Sequence, residues 1–260
     1  MAKPKQKKER VLQGLGPRSH AKRKHAGNEL IYGVHSIIEM LKAKRRKLIA
    51  IYTTKPLPKT WARIERYLPK SIPNIQYVPR HVLDRMCGSP ENGSIAAWVT
   101  PFPYRKQLFD PQKQPFILLL DSVQDVRNLG GILRSAYCTN VDGVVLCQRE
   151  AAPLNAAALK ASAGLAEHLE VYRAPSIKHA VIELQKAGYT LYLTVLHGEN
   201  AFEVSYKKPL CLVIGNEATG IAKELFPYGQ LITLPQRDPD ASYNASVAAG
   251  IFLFLLSYKS

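Results

Sequence analysis

A parallel α/β sheet preceded by a smaller α/β unit is the fold predicted by these 260 residues, and three observations carry it. FILLL (116–120), GVVLC (143–147) and PLCLVIG (209–215) are short uninterrupted apolar runs, as in strands buried on both faces of a parallel sheet. From residue 116 onward such runs alternate with stretches of helical period, giving β-α-β-α-α-β-β-α-β-α. Polar side chains and glycines gather just after three of the strands, where open α/β sheets bind ligands.

Each element has its own sequence reason. Residues 1–28 are basic, contain Gly and Pro and show no periodicity, so a disordered tail is expected there. Residues 29–100 form the smaller unit. Val34, Ile37, Ile38 and Leu41 stand at helical spacing, and LIAIYTT then reads as a strand. WARIERYL, IQYVP, HVLDRMC and SIAAWVTP continue as helix, strand, helix and strand. Residues 101–115, rich in proline and polar groups, read as a linker. In the segment 116–260 a helix is expected to begin near Leu129, between FILLLD and GVVLC. NAAALKASAG, SIKHAVIELQKAG and IAKELF follow as helices, TLYLTVL, PLCLVIG and QLITLP as strands, and ASVAAGIFLFLLSYK as a long apolar helix.

Charge narrows the partner class. The formal net charge is +16, and residues 1–27 alone hold nine Lys or Arg against the single acid Glu9. A second basic run occupies Lys42 to Lys47. Such a balance suits a polyanion, because neutralising phosphates releases condensed counterions. The plain alternative is a solubilising tail. A membrane surface fits less well, since the tail has no apolar face to insert and no apolar run is long enough to span a bilayer. Cys87, Cys138, Cys147 and Cys211 are too widely spaced for a zinc ribbon or a redox CxxC, so no metal is expected and inert thiols are. The basic start lacks the apolar stretch of a secretory signal; a cytoplasmic location is expected, with an organellar matrix as the alternative.

The three polar clusters are Asn128-Leu-Gly-Gly131 with Arg134, Ile214 to Gly220 (IGNEATG), and Leu234 to Ser246 (LPQRDPDASYNAS). Neither glycine loop matches GxGxxG or GxxxxGK[ST], which argues against dinucleotide and P-loop chemistry. Taken singly, each cluster is a tight turn, Arg134 is a solvated cation about one turn into its helix, and Glu217 complements the dipole of the helix after it. Together, on strands of one sheet, they describe a site.

DVRNLGGILRSA, LVIGNEATGI and SYNASVAAGI, in this order and spacing, resemble the three motifs of the SpoU/TrmH-type RNA 2′-O-ribose methyltransferases, a match covering about residues 117–258. LIYGVHSIIEMLKAKRRKLIAIYTT to GSIAAWV resembles, more weakly, the ribosomal-protein-like RNA-binding domain that often precedes it. The resemblance implies a SPOUT fold with a deep C-terminal trefoil knot, S-adenosyl-L-methionine as cofactor, an RNA substrate and a homodimer packed through the knotted domains. Its subgroup of nearest likeness modifies a guanosine of large-subunit rRNA; tRNA is the other RNA it allows. By motif position, Asn128, Arg134, Glu217, Ser242 and Asn244 would be catalytic, and Thr194, Gly215, Leu234 and Tyr243 would line the cofactor pocket. Departures from the pattern are Val126 where proline is usual, and Gln236, Asp238 and Tyr243 in the third motif. A catalytically weak RNA- or ribosome-binding protein on the same scaffold is the alternative these departures leave.

Overall fold

The computed structural model describes residues 27–71, 74–148, 151–238 and 242–260. The tail expected at 1–28 therefore falls, up to residue 26, outside the described residues. A four-stranded sheet comes first: β1 (Glu29–Tyr32), β2 (Leu48–Thr53), β3 (Ile75–Tyr77) and β4 (Ile95–Val99), in the order β1-β4-β2-β3. β4 runs antiparallel to both neighbours, while β2 and β3 are parallel. The helices α1 (Val34–Ala43), α2 (Trp61–Glu65) and α3 (Arg80–Cys87) cover it. Strand β1 was not expected; at four residues it is too short to show alternation.

The second sheet has six parallel strands in the order β10-β8-β9-β5-β6-β7. Its core strands β5 (Phe116–Leu120), β6 (Gly143–Cys147) and β9 (Leu210–Ile214) are buried at every residue, which is why they read as unbroken apolar runs. β7 (Val171–Ala174), β8 (Thr190–Asn200) and β10 (Gln230–Thr233) complete it. β7 is buried only at its ends, and its exposed Arg173 disguised it as loop in the sequence. Helices α6 (Ile177–Ala187) and α7 (Ala245–Lys259) pack on this sheet, while α4 (Val126–Cys138) packs against α7 and against α5 (Ala156–Ala161), which also meets β1 of the first sheet.

Strand order creates the site. From β5 the chain moves outward through β6 to β7, then crosses to β8, on the far side of β9. The carboxyl ends of β5 and β9 lie side by side, Leu120 opposite Ile214, at the switch point where the two directions part.

Three expectations need correcting. Helix α4 starts at Val126, not near Leu129, because Asp125 caps it by accepting the Arg127 N–H at 2.7 Å. Arg134 accordingly lies more than two turns in. IAKELF is not an α-helix; a 3-10 helix runs over Lys223–Tyr228, so Glu217 sits in a loop rather than at a helix start. The basic run at 42–47 is only partly a surface feature. Arg46 is buried, paired with Glu167 at 3.0 Å and Glu29 at 2.5 Å, and Arg45 bonds the Leu169 carbonyl and Glu170.

The 101–115 segment contributes packing. Phe102 and Phe109 are buried, and the Arg105 N–H donates to the Val171 carbonyl, tying the segment to β7.

Candidate active site

The first glycine cluster is part of a helix. A Cβ on Gly130 would stand 2.3 Å from the Ala161 Cβ and 2.6 Å from the Ala158 carbonyl oxygen, so this glycine lets α5 lie against α4. Gly131 faces the Ser246 Cβ at 3.1 Å, and Gly250 faces the Ser135 hydroxyl at 3.3 Å, so small residues also bring α7 close to α4. These glycines serve helix packing inside α4, not the tight turn expected of the cluster taken singly. What their packing achieves is to set the N-termini of α4 and α7 together.

At that junction the polar residues form one chain of hydrogen bonds. Asn244 caps α7: its carbonyl oxygen accepts from Ser246 N at 2.9 Å and Val247 N at 3.4 Å. Its amide is then left to donate, and it does so to Asn128 Oδ1 at 3.1 Å. With that oxygen occupied, the Asn128 amide donates to Glu217 Oε1 at 3.1 Å. Glu217 also accepts from Gln124 N and Asp125 N at 3.3 and 3.4 Å, so it serves the start of α4 from across the β5–β9 junction. Partial burial pushes its carboxyl up, but hydrogen bonds from its own N–H, from Asn128 and from Gln124 and Asp125 outweigh this and hold its pKa below the usual value.

The loop after β9 is tied to the loop after β5. The Asn216 amide donates to the Ser122 carbonyl at 2.6 Å, while its oxygen accepts from the N–H groups of Ala218 and Thr219. Gly215 lies where the chain doubles back; a Cβ there would be 2.5 Å from the Gly220 carbonyl carbon.

Beside this junction a cleft of about 530 Å³ opens at the ends of β8, β9 and β10. Thr194, Gly215, Leu234 and Tyr243 all line it, as do Glu217 and Ser242. The Thr194 hydroxyl is turned to the Val213 carbonyl at 3.0 Å, and the Tyr243 hydroxyl donates to the Pro235 carbonyl at 3.4 Å. Arg134 and Asn128 are not part of its wall. Arg134 is exposed on α4 with no hydrogen bond or ion pair among the described residues, whereas neighbouring Arg127 is held by Asp125 at 3.2 Å. Ser242 is exposed at the edge of residues 239–241, which lie outside those described.

Sequence reasoning missed Leu196 and His197, which reach the cleft because the β8–β10 register shifts between Leu231 and Ile232 and loops out the middle of β8. It also missed Phe252 of α7 as a cleft wall, since an all-apolar helix gives no sign of which residues face a ligand. Asp125 was findable, being a capping residue immediately before the helical pattern. Among the described residues no group of three His, Cys, Asp or Glu side chains could hold a metal ion, and no helix is long and apolar enough to cross a membrane.

The SpoU rRNA methylase family model matches residues 115–254, and the model for RNA 2′-O ribose methyltransferase substrate binding matches residues 30–105. The protein YacO of Bacillus subtilis, named for the TrmH family of tRNA/rRNA methyltransferases, is 33% identical over 239 residues, covering 87% of this chain and 94% of that protein. A crystal structure of an RNA 2′-O ribose methyltransferase superposes with a TM-score of 0.79 at 18% identity, over 94% of this chain and 92% of that one. AviRb from Streptomyces viridochromogenes, solved with AdoMet, gives 0.72 at 22% identity, over 91% and 92%. The fold is that of the SPOUT methyltransferases. The chain belongs to the SpoU, or TrmH-type, RNA methyltransferase family.

Proposed function

We propose that this protein transfers a methyl group from S-adenosyl-L-methionine to a ribose 2′-hydroxyl of structured RNA, a guanosine of large-subunit rRNA being the assigned target. The observation that carries this reading is the convergence of all three motifs on the β5–β9 switch point, with a ligand-sized cleft on one side and an unpaired arginine on the other. The cleft fits the cofactor: its volume lies within the ~300–1,000 Å³ of small-molecule sites, its walls are largely apolar, and the space at Gly215 admits no side chain. Thr194, Gly215, Leu234 and Tyr243 would hold it. When bound, it supplies a methyl group activated on a sulfonium.

The chain's own residues then position the acceptor. Arg134 clamps an RNA phosphate, a task for which its planar fork of donors is suited. A guanidinium does not give up its proton at neutral pH, so Arg134 is not the base. Glu217 is no better placed for that role, since both its oxygens already accept hydrogen bonds and its pKa is lowered. The 2′-hydroxyl proton therefore leaves with help from the clamped phosphate. Asn128, Asn244 and Glu217 hold α4, and hence Arg134, in register with the cleft, and Ser242 orders the third loop.

The wider assembly follows from the same reading. Residues 29–100 present the RNA, residues 101–115 join the units and residues 116–260 carry the transfer. The strand order, with β10 returning beyond β8 and α7 coming back to α4, supports a threaded C-terminus. Val247, Phe254 and Tyr258 make an exposed apolar stripe along α7, with Ile251 between them, which supports a homodimer through this domain. Mapping 2′-O-methyl groups in RNA from cells with and without the protein tests the assignment. A missing ribose methyl in large-subunit rRNA is expected, and unchanged ribose methylation contradicts it.

A further inference from the structure

A second cleft, of about 710 Å³, lies between the two sheets. One wall is β1 with Tyr32; the other is the end of β6 with Gln148 and the segment that begins α5 with Asn155; Tyr104 and Arg173 complete it. Its position is informative. β6 is the next strand after β5, Leu146 standing opposite Leu120, and Ala152 N donates to the Val123 carbonyl at 2.7 Å, one residue before Gln124 and its bond to Glu217. Adjacent strands are ~4.8 Å apart, so the cleft opens one strand away from the junction of Asn128 and Glu217.

Its lining has the chemistry of a nucleotide's complement. The Arg173 guanidinium rests on the Tyr104 ring at 5.1 Å and has no carboxylate partner among the described residues. Lys160, 5.9 Å from the Tyr32 ring, stands outside the lining and is paired with Glu91 at 2.8 Å, while Glu29, the carboxylate in the lining, is paired with Arg46. Asn155 uses its carbonyl oxygen to cap α5, accepting from Ala157 N and Ala158 N, which leaves its amide to donate. Gln148 donates its amide to the Arg173 carbonyl at 3.3 Å, which leaves its oxygen to accept. The Tyr104 hydroxyl, like any phenol, is a donor at neutral pH. Aromatic faces, a cation and paired donor and acceptor groups suit an unstacked base with its phosphate, and an apolar ligand would leave them unsatisfied.

We propose that this cleft takes one unpaired nucleotide of the RNA, a near neighbour of the nucleotide that is methylated, with its base on the tyrosine side and its phosphate at Arg173. The site would select substrates by an extruded base beside the target. This rests on the reading of the protein as an RNA methyltransferase and adds a specificity site to it.

The test uses the full chain with 4-thiouridine-bearing transcripts of large-subunit rRNA and tRNA. Crosslinked peptides are mapped by mass spectrometry, and methyl transfer is measured for the wild type, Arg173→Glu and Asn155→Asp. The second variant keeps the cap acceptor and removes the donor. Crosslinks to Tyr104, to Gln148 or to residues 151–157 are expected. Each variant should raise the KM for RNA at least about fivefold, as for the loss of one hydrogen bond, with kcat and S-adenosylmethionine affinity unchanged. Wild-type methylation with crosslinks only elsewhere, or with variant KM values unchanged, overturns the nucleotide cleft and leaves the methyltransferase reading standing. A wild-type protein that neither methylates nor crosslinks RNA overturns both. The wild-type crosslink map stands even where a variant folds poorly.

Discussion

Asn128, Asn244 and Glu217 act as a unit, because each hydrogen bond fixes which end of the next amide donates. Asn244→Ala removes the cap of α7 as well as the relay, and should cost about 1 kcal/mol in stability, readable in a denaturant titration, together with most of the activity. Arg134→Ala should abolish transfer while calorimetry still registers S-adenosylmethionine binding, since Arg134 is not in the cleft wall. Glu217 adds a pH signature. Its folded pKa lies below its ordinary value of 4.5, so its contribution is complete above that value and is lost as pH falls through the folded pKa. Stability should therefore be insensitive to this group at neutral pH and should fall under acid conditions with a component that Glu217→Gln removes. All five polar residues were legible in the sequence as motif members. Their hydrogen-bond order was not, because it depends on two helix N-termini meeting across more than a hundred residues of chain.

Helix α4 shows what a motif conceals. The Gly130-Gly131 pair reads as a loop by composition, yet Asp125 starts the helix before it and the glycines sit inside. Each is needed where another helix crosses. Gly130→Ala would drive a methyl into Ala161 and the Ala158 backbone, and should destabilise by about 1–3 kcal/mol. Gly131→Ala, facing only the Ser246 side chain, should cost less. Thermal melts of the two variants check this order. Val126 now has a place as well: it is the first residue of α4, where proline is favoured for its fixed φ but supplies no functional group. The buried strands were readable because a parallel sheet demands uniform apolarity, whereas β1 and β7 were not, being short and part-exposed.

At the scale of the whole molecule, the two sheets are joined by charge as well as by packing. The side chains of Arg46 and Glu167 are fully buried, and Glu29 completes the group. Arg46→Ala would strand Glu167 in an apolar setting and should cost about 3–5 kcal/mol in a denaturant titration. A basic run thus hid a structural arginine, since sequence shows charge but not its depth. The exposed stripe on α7 predicts that Phe254→Glu lowers the mass found by light scattering to that of one chain. The proposed activity places methyl transfer to RNA ribose at the β5–β9 junction. Its most direct test is incubation of the full chain with methyl-labelled S-adenosylmethionine and large-subunit rRNA, followed by nuclease digestion to nucleosides. Label is expected on a 2′-O-methylated nucleoside with the wild type and none with Arg134→Ala. Label on a base, or no label from a protein that binds S-adenosylmethionine and RNA, would contradict it.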